Sequence, residues 1–229
     1  MRINKYISLT GYCSRRETER LIAAGRITIN QLVCDHDDTV EPGDLVLIDG
    51  KTIKGKQENV YIILNKPAGI TCTANKDVKS NLIDFINYPE RIFAVGRLDK
   101  ESEGLLLMTN DGDIVNEILR SENNHEKEYL VTCDRLITDE FIQGMSEGVQ
   151  ILNTTTKPCY VSRISDYEFR IILTQGLNRQ IRRMCKVFGY RVERLQRVRI
   201  MNLKLGDLPV GEWRYLTAEE LGELTALLD

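Results

Sequence analysis

Five short apolar runs dominate the sequence beyond residue 58: VYIILN (60–65), RIFAV (91–95), GLLLM (104–108), KEYLVTC (127–133) and EFRIILT (168–174). Each is too brief for a helix of ordinary length, so each reads as a strand. The intervals between them carry helical patterning. NDGDIVNEILR (110–120) reads as a helix capped by Asn110 or Asp111, and TDEFIQGM as a helix behind Thr138. LTAEELGELTALLD has a capping box at Thr217 and Glu220, with Leu221, Leu224, Leu227 and Leu228 on one stripe. No regular alternation of one helix per strand appears, so the expected class is α+β.

The first fifty residues are punctuated differently. Gly11 ends one helix, Ser14 and Glu17 form an S-x-x-E capping box for the next, and Gly25 stops it. RITIN (26–30) and DLVLI (44–48) then alternate like strands, with EPGD as the turn before the second. At 229 residues the chain exceeds one average domain. A break fits DGKTIKGKQENV (49–60), a polar, lysine-bearing stretch with two glycines that suits a connector. The boundary is placed near Glu58, giving a small module over 1–58 and a larger domain over 59–229.

A formal net charge of −3 argues weakly against nucleic acid, but an electrostatic footprint is local. From Arg2 to Arg26 the basic residues Arg2, Lys5, Arg15, Arg16, Arg20 and Arg26 face only Glu17 and Glu19. A second concentration lies in LTQGLNRQIRRMCKVFGYRVERLQRVRI (173–200). A helix beginning at Asn178 sets Ile181, Met184, Cys185 and Phe188 on one face, and Arg179, Arg182, Arg183 and Lys186 repeat that spacing two positions earlier. Gly189 closes the helix, and the following strand carries Arg191, Arg194, Arg197 and Arg199. From Arg179 to Arg199 eight basic residues face one acid, Glu193. Such a strip neutralises a phosphate backbone; the alternative is pairing with carboxylates of the same chain.

The six cysteines form no C-x-x-C pair and there are only two histidines, which leaves neither zinc spacing nor a compact disulfide framework. Free thiols in a reducing cytoplasm are expected. No apolar stretch approaches the ~20 residues of a membrane span, and the amino terminus lacks the apolar core of a signal peptide. The expectation is a cytoplasmic protein with no membrane partner.

In GRLDKESEGLLLMTND (96–111), Asp99 follows an arginine at the end of one apolar run and precedes another. A carboxylate there serves as a cap, an internal ion pair, an exposed loop residue or a catalytic group. Glu101, Glu103 and Asp111 stand nearby, as a glycosidic hydrolase with two opposed carboxylates would require.

NKYISLTGYCSRRETERLIAAGRITIN (4–30) resembles the S4 RNA-binding module, and VGRLDKESEGLLLMTNDGD resembles the G-R-L-D signature of pseudouridine synthases. NKPAGI, KEYLV and GLNRQIRRM follow in the order of that family, specifically the branch that joins an S4 module to the catalytic domain and acts on bacterial ribosomal RNA. The resemblance implies a mixed, mainly antiparallel catalytic sheet with flanking helices and a central RNA-binding cleft. It implies conversion of uridine to pseudouridine in 23S RNA, within a stem-loop or bulge of free RNA or of a pre-ribosomal particle, by a monomer. It assigns the essential carboxylate to Asp99, attacking the sugar or removing its C2′ proton, with Arg182 as its cationic partner. Tyr129 lies against the target base and Arg97 fills the gap left by the flipped uridine. Lys5, Arg15, Arg16 and Arg20 in the module, and Arg179, Arg183, Lys186 and Arg197 in the strip, are the expected RNA contacts. The isomerisation gains no electron or atom, so no cofactor or metal is expected. Lys66 and Pro67 are expected to shape the site, Gly96 and Gly104 to permit turns or close backbone approach, and Trp213 to pack. The sequence closes at Asp229 without the longer basic tail of some relatives, which leaves open the extra RNA contacts and part of the target selectivity of such a tail. An RNA-binding assembly factor without catalysis remains the alternative.

Overall fold

The computed structural model describes residues 1–119 and 124–228. The chain forms two compact units: Met1–Val60 with Tyr88–Phe93 and Thr109–Gly112, and Tyr61–Asn87 with Ala94–Met108 and Asp113–Asp229. Among the described residues no helix is long and apolar enough to cross a membrane.

In the first unit, helices α1 (Ile3–Leu9) and α2 (Arg15–Ala23) precede strands β1 (Ile27–Ile29), β2 (Leu32–Val33), β3 (Val46–Ile48) and β4 (Lys51–Thr52). The strands pair antiparallel in the order β2-β1-β3-β4. Ile3, Ile7, Leu21, Ile27 and Ile48 fill the core. Ser14 Oγ accepts from the Glu17 amide at 3.1 Å, but the Glu17 carboxylate turns to Arg20 at 3.0 Å, so only half of the expected capping box forms. β4 lies inside the stretch read as a connector, because a two-residue exposed strand shows no alternation.

The second unit is built on strands β5 (Tyr61–Lys66), β6 (Phe93–Ala94), β7 (Glu103–Thr109), β8 (Lys127–Cys133), β9 (Gln150–Ile151), β10 (Thr154–Thr155), β11 (Tyr160–Arg163), β12 (Glu168–Leu173), β13 (Val192–Ile200), β14 (Leu203–Lys204) and β15 (Trp213–Tyr215). Helices α3 (Leu82–Ile86), α4 (Gly112–Leu119), α5 (Asp139–Ser146), α6 (Gln180–Val187) and α7 (Ala218–Ala226) interleave with them. The main sheet runs β11-β12-β8-β13-β7-β5-β15, with β14 beside β13 and β6 beside β7. Pairing is antiparallel from β11 to β13 and between β5 and β15, and parallel between β13 and β7. The α+β class is thus observed, in a mixed sheet with helices around it.

Two apolar clusters flank the middle of the sheet. One joins Val131, Phe169, Ile171 and Leu195 to Phe141 of α5 and Ile181, Met184 and Cys185 of α6. The other joins Ile63, Leu105, Leu107 and Ile200 to Ile118 of α4 and Leu224 of α7. The Thr217–Glu220 capping box forms completely, although Leu227 of the expected stripe is exposed. Helix α6 begins at Gln180 rather than Asn178, because Arg179 adopts a left-handed conformation (φ 51°), and Phe188 falls beyond its end, exposed. Arg120, the last residue of the helix expected over 110–120, lies outside the described residues.

Candidate active site

Asp99 sits, half-buried, in the loop between β6 and β7. That loop is held by donors to its backbone. The Ser102 amide donates to the Asp99 carbonyl at 3.0 Å, and the Gly69 amide to the Lys100 carbonyl at 2.7 Å. Lys66, at the end of β5 and wholly buried, donates from Nζ to the carbonyls of Pro67 (2.7 Å) and Ser102 (2.8 Å). Burial pushes the Lys66 ammonium below its ordinary range. Two carbonyl acceptors therefore stand in for a counter-ion, and the ammonium ties the Pro67 turn to the loop. A shaping role, as the sequence suggested, fits this geometry.

Arg182 of α6 reaches the same loop. Its Nη2 donates to the Glu101 carbonyl (3.3 Å) and Ser102 Oγ (3.4 Å), and Nη1 to the Val192 carbonyl (3.2 Å). No ion pair between Arg182 and Asp99 occurs among the described residues, so the guanidinium is joined to the loop just after the carboxylate rather than to the carboxylate itself. Both nonetheless line one pocket of about 600 Å³. Tyr129 lines it from β8 and Arg97 from the loop itself, where it is exposed.

The pocket is strongly cationic. Arg97, Lys100, Lys127, Arg179, Arg182 and Arg197 line it, against Asp99 as the one carboxylate among the described lining residues. The acids weighed beside Asp99 are engaged elsewhere. Glu101 bonds Arg179 at 2.9 Å, which holds its carboxyl below the usual range, and Glu103 pairs with Arg194. Asp111 is not among the residues that line this pocket. An opposed pair of free carboxylates, as a hydrolase requires, is not present around Asp99 among the described residues.

The continuous basic strip is revised by the same contacts. Arg191 pairs with Asp134 and Glu193, Arg194 with Glu103, and Arg199 with Glu126 and Glu128. Arg183 bonds the Asn178 carbonyl and side chain at 3.0 and 3.2 Å, while Lys186 is exposed. Arg197 is 3 % exposed, so it is no surface phosphate contact. Its position two residues from buried Leu195 on one face of β13 was the available signal; residue type outweighed it. In the first unit Arg15, Arg16 and Arg20 are exposed and Lys5 is half-buried. Lys127, which lines the pocket, drew no attention in the sequence beside Tyr129.

Gly104 allows the two halves of the site to approach. Its φ is +102°, and a Cβ there would lie 2.8 Å from the Arg197 nitrogen, 3.0 Å from its carbonyl carbon and closer still to its oxygen. Only glycine permits the parallel pairing of Gly104 with Arg197.

Comparison with known proteins follows the same lines. Residues 60–186 match the family model described as RNA pseudouridylate synthase, and residues 1–46 match the S4 domain. The chain is 52% identical over 231 residues to the dual-specificity RNA pseudouridine synthase RluF of Escherichia coli K12, covering 100% of this chain and 80% of that protein. The KEYLVTC and arginine-rich segments already resemble that F type. Identity is 31% over 237 residues to the ribosomal large subunit pseudouridine synthase B of Bacillus subtilis, covering 100% and 97% of the two chains. A crystal structure of a pseudouridylate synthase superposes with a TM-score of 0.72 at 27% identity, covering 98% of this chain and 99% of that one. The chain belongs to the RNA pseudouridine synthase family, with an S4 domain at its amino-terminal end.

Proposed function

We propose that the enzyme isomerises uridine in 23S ribosomal RNA with Asp99 as its essential carboxylate. The observation that supports this most is the solitary position of Asp99 in a pocket lined by six cations. Such a pocket draws in a polyanion, and Asp99, the one carboxylate among the described lining residues, is the group assigned to attack C1′ or take the C2′ proton. The chemistry conserves atoms and electrons. The target base must leave its stack, at a cost of a few kcal/mol that is least in a loop or bulge, so a stem-loop or bulge is the substrate inferred.

Tyr129 stacks on the extruded base and Arg97, exposed at the pocket's edge, fills the vacated stack. Arg182 serves by fixing the Glu101 carbonyl and the Ser102 hydroxyl next to Asp99. Residues 1–58 form the RNA-binding domain and linker and 59–229 the catalytic domain, with Lys5, Arg15, Arg16 and Arg20 on phosphate. Arg179, Arg183 and Lys186 meet RNA near the site; Arg179 does so by exchanging Glu101 for a phosphate. The dual-specificity designation of the F-type relatives extends the expected substrates beyond one uridine. The enzyme works as a cytoplasmic monomer, on free RNA or a pre-ribosomal particle.

The test is hydrogen release from 23S RNA labelled at uridine C5. Wild type releases label without change in RNA mass, and Asp99→Asn stops release while binding RNA within about twofold of wild type. Equal release by Asp99→Asn rejects the assignment. Free uracil in the digest would mark a hydrolase, and wild-type binding without release an assembly factor.

A further inference from the structure

Two cations on the floor of the pocket have no anion among the described residues. Arg197 Nε donates to the Leu105 carbonyl at 2.8 Å, and its Nη2 is buried with no partner. Lys127 donates only to the His125 carbonyl, at 3.0 Å. Burial, with the charge of Arg197 as a lesser cause, pushes the Lys127 ammonium below its ordinary range. A buried guanidinium without a compensating anion is strongly destabilising. Its strand neighbours Arg194 and Arg199 have carboxylate partners. Arg197 alone of these three, the one that lines the pocket, is left without one.

Arg197 stands directly opposite Tyr129 in the β13–β8 register, and Lys127 lies two residues from Tyr129 along β8. All three therefore share one face of the sheet. We infer that Arg197, assisted by Lys127, stabilises the uracil ring as it becomes an anion during cleavage of the C1′–N1 bond. This rests on the pseudouridine reading and on Tyr129 marking where the base lies. When that bond breaks, its electron pair stays with N1, and the charge spreads over N1, O2 and O4. C1′ is meanwhile satisfied by bonding to an Asp99 oxygen, or by forming a double bond to C2′ as Asp99 removes the C2′ proton. As C5 joins C1′, the C1′–O bond to Asp99 breaks or C2′ regains its proton; C5 then gives its own proton to solvent and N1 takes one.

Burial favours the ring over a phosphate as the anion. A phosphate keeps much of its water and suits exposed cations such as Arg97, whereas a delocalised ring anion matches a desolvated guanidinium. A charge that develops only in the transition state is also where a preorganised donor contributes most.

The full-length enzyme is assayed in single turnover on 23S transcripts made with uridine or with 5-fluorouridine, following consumption of the N-linked target nucleoside. Fluorine makes the departing anion less basic. Arg197→Gln should bind RNA within about twofold of wild type yet cleave uridine slower by about 10²–10³-fold, the usual loss for one preorganised donor. The defect should shrink by about tenfold or more on 5-fluorouridine, and Arg197→Lys should recover part of the rate. Should thermal melting show Arg197→Gln unfolded, Arg197→Lys and Lys127→Gln carry the same comparison, each with a smaller deficit on the fluorinated RNA. Equal deficits on both RNAs would show a structural role and overturn the inference. So would weakened binding and a salt dependence lowered by about one phosphate contact at unchanged saturating rate, which marks a phosphate site. Unaltered variants also refute it, whereas a wild type without turnover rejects the underlying reading instead.

Discussion

Replacing Gly104 with alanine strikes where β7 meets β13. The new methyl group would lie 2.8 Å from the Arg197 nitrogen and closer to its oxygen, so either the parallel pairing opens or the backbone at φ +102° refolds. Strained backbone of this kind costs about 1–3 kcal/mol, and overpacking against atoms that cannot turn aside about 1–3 kcal/mol more. The sum is roughly 2–6 kcal/mol. At about 2–4 °C per kcal/mol for a chain of this size, the melting temperature should fall by roughly 5–20 °C. Gly222 is the control. It lies exposed in α7, and a Cβ added there would meet nothing within 4 Å, so Gly222→Ala should stabilise by about 0.5–1 kcal/mol. Both are read by thermal and urea unfolding monitored by circular dichroism. A Gly104→Ala protein melting within 2 °C of wild type, a limit set by about 1 kcal/mol, would show that the close approach does not constrain the sheet.

Lys66→Met removes both bonds that tie the Pro67 turn to Ser102, so single-turnover rate should fall about 10²-fold through misplacement of Asp99, with RNA affinity little changed by filter binding. The same variant has a pH signature. Burial lowers the folded-state ammonium pKa, so between that value and 10.5 the unfolded chain binds more protons and stability rises with pH. Urea titrations at pH 8 and 10 should show this rise weaker in Lys66→Met than in wild type; identical slopes would contradict it. Glu101→Gln breaks an exposed pair with Arg179 and should alter stability by less than about 1 kcal/mol, while tightening RNA binding at low salt by freeing a cation beside the pocket.

Where a strand is long and one of its faces is buried, its side chains announce it: β5, β7, β8, β12 and β13 all follow from apolar runs or alternation. The hairpin of β9 and β10 does not, because pairs of residues cannot display a period. Asp99, Tyr129 and Arg182 were legible as motif members, and the fold brings them to one pocket. Partners were not legible. Charge composition records eight basic residues between Arg179 and Arg199, but not that Glu103, Glu126 and Glu128 come from other strands or loops to meet Arg194 and Arg199. Arg197 was misread because an arginine's type suggests water, whereas its strand register beside Leu195 suggests the interior. Lys66 shows the converse: a lysine is fully buried where two carbonyls converge on its ammonium.

The bond from Arg197 to the Leu105 carbonyl spans 92 positions of the chain. During synthesis, the strand that opens with Glu103 must wait for its parallel neighbour until residues near 200 have left the ribosome. Contacts so distant in sequence close slowly, and until then the polypeptide has a carboxylate loop but no floor beneath it. A nascent chain arrested before Arg197 therefore carries the Asp99 loop without the strand that Gly104 pairs with.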